Sequence, residues 1–459
     1  MIRGPLDERS RVAALDALRG VALLGLMISA ARQMFLPLEV ARWAVPPDRY
    51  SAWFDWAFYD ALVHLKFITL FALLFGAGFA LQATRLGRDG PGYAATYLRR
   101  LAMLGVVGVV HGLLLYPSDV LGSYALAGLL LYAVRDWSAR TLFRAGVVVV
   151  ATTIVWGYQA GSLGRVSPGL TLAVAAMLAV VVAATWDRSW RLSLALVGVV
   201  LCGSVLALGS HFDPATLGPS AESGFHAAVE ALEGLRSTDP SRWPREFAVR
   251  QTGLPGELFA LHGEQYLYAS AGLAALLFMR TFGLFMLGAA LVQSGVLTEA
   301  RPGTWRRVSA IGLGIGLPLS LLATLVEARE LRGLGDWRWP EWAHVASAFP
   351  LAIGFGARVM LAEQLGRRRW WYARMEDAGR MALTNYVLQS LLMAALAERW
   401  GFGLYGRLDG PALTALAVAT FALIAEASHR WLRHYRMGPL EWLWRCGTYL
   451  RWLPNRRTD

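Results

Sequence analysis

Length, composition and charge already narrow the class of protein. The chain has 459 residues, 56% of them hydrophobic, and a formal net charge of +12. Because long apolar stretches recur along the whole chain, a soluble globular fold is excluded. The arginines cluster in alternate loops between these stretches, so the positive charge indicates an orientation in a membrane rather than a surface that binds nucleic acid.

Most of the apolar stretches approach the length of about 20 residues that a spanning helix needs. No segment shows the short alternating pattern of a membrane barrel, so helices are the expected spanning structure. We predict an all-α polytopic membrane helix bundle of about 12 (10–12) transmembrane helices. The predicted spans, in chain order, are 15–36, 58–83, 98–116, 119–134, 141–160, 168–186, 191–210, 268–297, 308–327, 343–364, 380–398 and 411–432.

The loops predict how the bundle is oriented. The N-terminus is charged and no small-residue cleavage site follows the first apolar run, so we expect the first span to act as the insertion signal. Every arginine cluster falls on one side if the N-terminus is cytoplasmic, and twelve spans then leave both termini in the cytoplasm. The two distant cysteines, Cys202 and Cys446, predict neither a disulfide framework nor a metal site.

One long polar segment divides the chain into three predicted parts. An N-terminal membrane bundle of about seven helices (1–210) and a C-terminal membrane bundle (268–459) flank an extracytoplasmic segment (211–267). Long loops are usually functional or disordered, so this segment is either a cap over an outward-facing cavity or a structureless linker. The apolar runs at 73–81 and 284–291 look alike, which indicates either repeated halves of a transporter or close helix packing.

Charged residues mark the cytoplasmic end of the first span. Asp16 and Arg19 are three positions apart, so they share a helix face and can pair. The pair is either a salt bridge at the membrane boundary or, with Arg11, Arg99 and Arg100, a phosphate-binding site at the cytoplasmic mouth.

The second span carries three ionisable residues at its outer end: Asp60, His64 and Lys66. Asp60 and His64 lie four apart on one face. Lys66 is the only lysine in the chain, so we expect it either to reach the lipid headgroups or to serve a specific function.

The third span and the turn after it bring a histidine close to a carboxylate. His111 interrupts an apolar run, and Asp119 follows eight residues later, beyond the break at Pro117. A histidine with a carboxylate in reach is equipped as a general base, although a histidine bonded to a carbonyl and an aspartate N-cap fit as well. Arg280 lies within a later span and needs an anionic partner, such as Asp119 or a ligand, unless it lies at the interface.

Polar amides appear again near the C-terminus. Asn385 and Gln389 are four apart in one span, where such residues either join helices or contact a substrate. The closing stretch MGPLEWLWRCGTYLRW is typical of an amphipathic helix on the inner leaflet.

Several motifs together resemble a known family. RVAALDALRGVALLGLMIS, KFITLFALLFGAGFAL, HGLLLYPSDVL, GRMALTNYVLQS and GPLEWLWRCGTY resemble the YeiB-like bacterial membrane proteins, the domain-of-unknown-function 418 family. These proteins are similar in outline to membrane acyltransferases of the heparan-glucosaminide acetyltransferase type. That resemblance implies a membrane enzyme that uses acyl-CoA (acetyl-CoA) from the cytoplasmic side and a histidine acting within the membrane.

The leading hypothesis is therefore a transmembrane O- or N-acyltransferase of the bacterial inner membrane. His111 would be the general base, Asp119 would orient it, and Lys66 or Arg280 would stabilise the oxyanion. The expected residues that contact acyl-CoA are Arg11, Asp16, Arg19, Arg99 and Arg100, and those expected to contact the acceptor are Asp60, His64, Asn385 and Gln389.

Two other functions fit the same residues. A transporter would use His111, Asp119, Lys66 and Arg280 as a proton relay, and a scaffold or sensor would use none of them chemically. The expected partners are the lipid bilayer, a small-molecule or glycan acceptor and a second copy in a homodimer, with no metal and no nucleic acid.

Overall fold

The computed structural model describes residues 13–36, 50–86, 92–163, 243–272, 274–331, 340–366 and 370–457. Within these ranges the chain is helical and contains no β-strand, only an isolated bridge between Tyr435 and Arg456. The helices are α1 (Ala13–Phe35), α2 (Tyr50–Phe58), a π-helix (Tyr59–Val63), α3 (Lys66–Leu86), α4 (Tyr93–Leu114), α5 (Leu121–Ala133), α6 (Ala139–Leu163), α7 (Trp243–Thr252), α8 (Pro255–Gly272), α9 (Ala274–Gln293), α10 (Val296–Glu299), α11 (Pro302–Leu331), α12 (Pro340–Gln364), α13 (Trp370–Arg380), α14 (Ala382–Ala397), α15 (Gly410–His434) and α16 (Pro439–Tyr449).

The predicted all-α membrane architecture is confirmed. In the described ranges, six helical segments are long and apolar enough to cross a membrane: Ala13–Phe35, Tyr50–Ala83, Tyr93–Leu114, Pro302–Ala328, Ala343–Gln364 and Gly410–His434. Shorter apolar helices cover Leu121–Ala133, Phe278–Gln293 and Ala382–Ala397. The predicted spans 168–186 and 191–210 and most of the predicted cap lie outside the described residues, and each of the other predicted spans overlaps a helix.

The antiparallel helices give the bundle two ends. The start of α1 packs on α13, where an added Cβ at Gly379 would overlap the backbone of Asp16. The last residue of α1, Phe35, accepts a hydrogen bond at 2.8 Å from the backbone N–H of Gly406. We call the end that holds Asp16 the proximal end and the end that holds Phe35 the distal end.

The two look-alike apolar runs are packing partners. Gly76 in α3 lies against the backbone of Phe285 in α9, and Gly288 in α9 lies against the backbone of Leu73 in α3. Small residues let helix backbones approach closely inside a membrane, where dispersion contacts drive association. One continuous core therefore joins helices from both sides of the 211–267 segment.

The C-terminal motif GPLEW supports the start of α14. Glu441 Oε1 accepts hydrogen bonds from the backbone N–H groups of Leu383 at 2.6 Å and Thr384 at 3.0 Å. A carboxylate at a helix N-terminus satisfies free donors and complements the helix dipole. Gly438 has no room for a side chain beside Glu441 and Thr384, so this stretch of the motif has a structural explanation.

Candidate functional site

His111 and Asp119 form a buried pair beside the turn that joins α4 to α5. His111 lies in the last turn of α4, and the chain reverses over 115–120 so that the Asp119 side chain reaches back. His111 Nδ1 and Asp119 Oδ1 are 2.9 Å apart, and the two side chains are 1% and 0% exposed. The contact predicted from their spacing is present.

Further hydrogen bonds orient the Asp119 carboxylate. Its Oδ2 accepts from the backbone N–H of Gly122 at 3.2 Å, and the Tyr386 hydroxyl donates to Oδ1 at 3.3 Å. Asp119 therefore binds His111 and also contacts the first turn of α5 through Gly122, whereas the N-cap position of that helix is Val120. A carboxylate on Nδ1 favours the tautomer with the proton on that nitrogen, which leaves the lone pair on Nε2.

Nε2 of His111 is buried and, within the described part of the chain, has no hydrogen-bond partner. The ring lies between Tyr386, at a centroid distance of 4.9 Å, and Tyr116, at 6.1 Å. A buried polar atom is normally satisfied, so an unpartnered one points to a missing molecule or proton.

A second unpartnered group lies on α14. Both amide atoms of Gln389 are buried and lack a hydrogen-bond partner among the described residues. Gln389 is three positions from Tyr386, so the two residues share a helix face. Asn385 is different: its amide donates to the Ala378 carbonyl and to Ser428 Oγ, both at 2.9 Å, and joins α14 to α15.

A cleft opens at the distal end next to this pair. Tyr116, one edge of whose ring faces His111, donates from its hydroxyl to Gln33 Oε1 at 2.7 Å in the cleft wall. The remaining wall combines polar side chains with apolar surface from Met34, Leu115 and Pro117. The lining residues are Gln33, Met34, Leu115, Tyr116, Pro117, Ser118, Glu246, Arg250 and Gln265.

The far wall of the cleft is held by a buried ion network from the predicted cap. Arg250 donates to Glu398 Oε1 at 2.8 Å and to Glu246 Oε1 at 3.1 Å, and His262 Nε2 lies 3.0 Å from Glu398 Oε1. Burial alone would raise the pKa of Glu398, but His262, Arg250 and Trp400 outweigh it and hold that pKa below its usual value.

Basic residues gather at the proximal end. Arg19 pairs with Asp16 at 2.6 Å, and Arg100 donates to Gln82 Oε1 at 2.6 Å while its guanidinium stacks on the Trp444 ring at 4.3 Å. Arg445 is close enough to Arg100 to repel it. Burial lowers the pKa of Arg445, and Arg19 lowers it further, whereas Tyr449, Glu441 and Asp16 raise it.

The other two arginines predicted for this basic group, Arg99 and Arg11, add no contact with Arg19, Arg100 or Arg445 among the described residues. Arg99 donates to Thr96 Oγ1 at 3.4 Å, and Arg11 lies outside the described residues. Arg445 was missed because it lies in the distant α16, and only its place in the C-terminal motif could have drawn attention to it.

A second buried cluster forms around the π-helix. His344 Nε2 lies 2.8 Å from Asp60 Oδ2 and 3.0 Å from Glu327 Oε2. Lys66 Nζ donates to the Asp60 carbonyl at 2.7 Å and lies 3.4 Å from His344 Nδ1, and the His64 ring packs edge-on against His344. The structure thus assembles the predicted residues of the second span with two that the sequence did not single out.

Arg280 is buried in α9 and donates to Thr69 Oγ1 at 2.5 Å. Thr69 lies one helical turn after Lys66, so Arg280 approaches the same segment of α3. Tyr124 lies within electrostatic range of both Arg280 and Asp119.

These features describe a class of protein: a polytopic helical membrane protein with a buried histidine–carboxylate pair. The family described as "Protein of unknown function (DUF418)" matches residues 291–451. The resemblance to the domain-of-unknown-function 418 family that the motifs predicted is therefore confirmed over this part of the chain.

The similarity to individual relatives extends over nearly the whole chain. The chain is 29% identical to "Uncharacterized protein YeiB" of Escherichia coli (strain K12), over 95% of each chain. It is 27% identical to "Uncharacterized protein YxaH" of Bacillus subtilis (strain 168), over 98% of this chain and 97% of the relative. No solved structure matches the chain significantly.

Proposed function

We propose that the chain is an integral membrane acyltransferase. It moves an acyl group, in the simplest case acetyl, from cytoplasmic acyl-CoA to a hydroxyl or amine of a sugar, envelope or secondary-metabolite acceptor. The observation that carries this proposal is His111, whose Nδ1 is bound by Asp119 while its buried Nε2 has no hydrogen-bond partner in the described chain. Such an imidazole is oriented to take a proton.

The proposal includes an orientation in the bacterial inner membrane. Twelve spans with both termini in the cytoplasm place the proximal end, with Arg19, Arg100 and Arg445, on the cytoplasmic side. Three arginines that repel one another favour an anionic ligand between them, and phosphate groups of coenzyme A have the matching charge. The positive-inside bias of the loops supports the same orientation.

The reaction needs one proton transfer in each direction. The acceptor O–H or N–H attacks the thioester carbonyl, and Nε2 of His111 takes the proton as the new C–O or C–N bond forms. The tetrahedral intermediate then expels the coenzyme A thiolate, which takes the proton back from the imidazolium. Asp119 stabilises the imidazolium in between.

Gln389 is the group best suited to the developing oxyanion. Its amide N–H is a neutral donor that is buried without a partner among the described residues, and it shares a helix face with Tyr386, which touches His111. A preorganised donor of this kind stabilises negative charge strongly in a dry site. Lys66 and Arg280, the donors expected from the sequence, make hydrogen bonds to Asp60 and Thr69.

The acceptor would enter through the distal cleft. Its wall offers the amides of Gln33 and Gln265 and the Ser118 hydroxyl beside charged Glu246 and Arg250. Several neutral donors and acceptors in one cleft suit a polyhydroxylated molecule, because each hydroxyl can both donate and accept.

The test is turnover by purified protein with labelled acetyl-CoA and an envelope or metabolite extract. We expect His111→Ala to abolish labelling of the acceptor, a loss of about 100-fold or more, while coenzyme A binding persists. The matched control is His429→Ala, because His429 pairs with Asp377 on the proximal surface. Transfer that survives in His111→Ala, or wild-type protein that neither binds coenzyme A nor labels any extract, would contradict the proposal.

A proton-coupled transporter is the second candidate, favoured by the buried ionisable cluster of Asp60, Lys66, His344 and Glu327. It predicts that purified protein in liposomes dissipates an imposed pH gradient when a transported solute is present. Liposomes in which the gradient persists whatever extract is supplied would exclude this candidate.

A further inference from the structure

Three ionisable side chains converge near the distal end in a cluster of their own. Asp60 comes from the π-helix, Glu327 from α11 and His344 from α12. Their side chains are at most 1% exposed. Each offers one ligand atom, and these atoms lie within 4.8 Å of one another.

We propose that Asp60, Glu327 and His344 form a binding site for a divalent metal ion, with Zn²⁺ and Mn²⁺ the best matches. One imidazole nitrogen and two carboxylate oxygens are donors that both ions accept. Zinc holds such donors at about 2.0–2.2 Å, which separates the ligands of a tetrahedral site by roughly 3.4 Å. The present separations of 2.8 and 3.0 Å need to widen only slightly.

The surroundings hold the ligands in place. Thr324 Oγ1 donates to Asp60 Oδ2 at 2.7 Å, and Ser320 Oγ donates to the Ala61 carbonyl at 2.8 Å. Lys66 Nζ donates to the Asp60 carbonyl at 2.7 Å. Hydrogen bonds of this kind orient metal ligands and are a regular part of metal sites.

Lys66 also weakens the binding of the ion, because its positive charge lies close to the site and repels the ion. When Nε2 of His344 binds a metal, the remaining ring proton is on Nδ1, which lies 3.4 Å from Lys66 Nζ. Lys66 must then turn away from Nδ1, because both groups are hydrogen-bond donors. Lys66→Gln is therefore expected to bind the ion roughly tenfold more tightly than the wild type, because a like charge is removed at short range.

The experiment measures metal per chain in full-length protein purified in detergent. The protein is stripped with a chelator, incubated separately with Zn²⁺ and Mn²⁺, desalted and analysed by mass spectrometry of the elements. We expect about one ion per chain in the wild type and a loss of most of it in Glu327→Gln and His344→Gln. The matched controls are Glu426→Gln and His429→Gln, whose parent residues lie together on α15 and are partly exposed.

A second measurement keeps the test decisive if a cluster variant fails to fold. Co²⁺ bound by one nitrogen and two oxygens gives visible absorption bands in the wild-type protein, and added Zn²⁺ is expected to displace them. Wild-type protein that retains neither Zn²⁺ nor Mn²⁺, or folded Glu327→Gln that retains as much as wild type, overturns the proposal. Lys66→Gln that binds no more tightly than wild type overturns the assigned role of Lys66.

Discussion

Two buried histidines of this protein differ in what surrounds Nε2. His111 has one carboxylate, on Nδ1, and its Nε2 lacks a partner among the described residues. His344 has two carboxylates, both on Nε2, and a lysine opposite Nδ1. A base needs a vacant, oriented nitrogen, whereas a nitrogen between two carboxylates shares a proton or binds a cation. The position of the carboxylate therefore distinguishes His111, a candidate general base, from His344, a candidate metal ligand.

The largest effect is expected when the carboxylate of the His111 pair is replaced. Asp119→Asn keeps the size of the side chain but favours the wrong imidazole tautomer and removes the charge that stabilises the imidazolium. We expect kcat to fall by about 100- to 10,000-fold, measured by acyl transfer at saturating acetyl-CoA. Full turnover in folded Asp119→Asn would show that the carboxylate on Nδ1 does not make His111 a base, and the comparison with His344 would fail.

A smaller effect on activity is expected at Gln389. Gln389→Leu removes an oxyanion donor, so we expect kcat to fall by about 10- to 100-fold. The same change removes two buried polar atoms that have no partner in the described part of the chain, so the free energy of unfolding should stay equal or rise by about 1 kcal/mol. Thermal unfolding in detergent checks this, with Asn385→Leu as the matched control: loss of the bonds to Ser428 and Ala378 should destabilise. A destabilised Gln389→Leu would mean that the amide is structural.

The smallest effect is expected on the pH dependence of unfolding, through Glu398. This carboxylate bonds a third buried histidine, His262, and also Arg250. The folded state lowers the pKa of Glu398, so its ionised form contributes stability above the unfolded pKa of about 4.3. That contribution is lost as the pH falls through the lower folded-state pKa. Unfolding of the wild type should therefore become easier under acid, and Glu398→Gln should flatten this dependence between pH 3 and pH 5. If Glu398→Gln showed the same dependence of stability on pH as the wild type, the stabilising role assigned to ionised Glu398 would be wrong.

The sequence predicted features that follow from local spacing. Asp119 lies eight residues beyond His111 across a proline turn, and Asp16 lies one helical turn from Arg19, so both contacts could be foreseen. The helix positions followed from apolar length because a lipid environment leaves the backbone few alternatives.

The sequence could not predict contacts that depend on which helices are neighbours. Tyr386 reaches Asp119 across 267 positions, and a tyrosine in an apolar span gives no signal of its own. Glu327 and His344 belong to different helices, and their meeting with Asp60 depends on α11 packing against the π-helix and on His344 reaching Asp60 from α12. Lys66 was expected at the reaction centre, but its side chain contacts Asp60 and His344 in the second buried cluster.

The π-helix at Tyr59–Val63 affects the direction in which the side chains of α3 point. A π-turn holds one extra residue, and one residue corresponds to about 100° of rotation around a helix. Leu65, in the left-handed region at φ 63°, then restarts the chain as α3. Asp60 within the π-helix and Gly76 in α3 face different partners, His344 and Phe285. Removing one residue here would turn α3 away from α9, so the π-helix sets the rotation of α3 between the buried cluster and the close contact with α9.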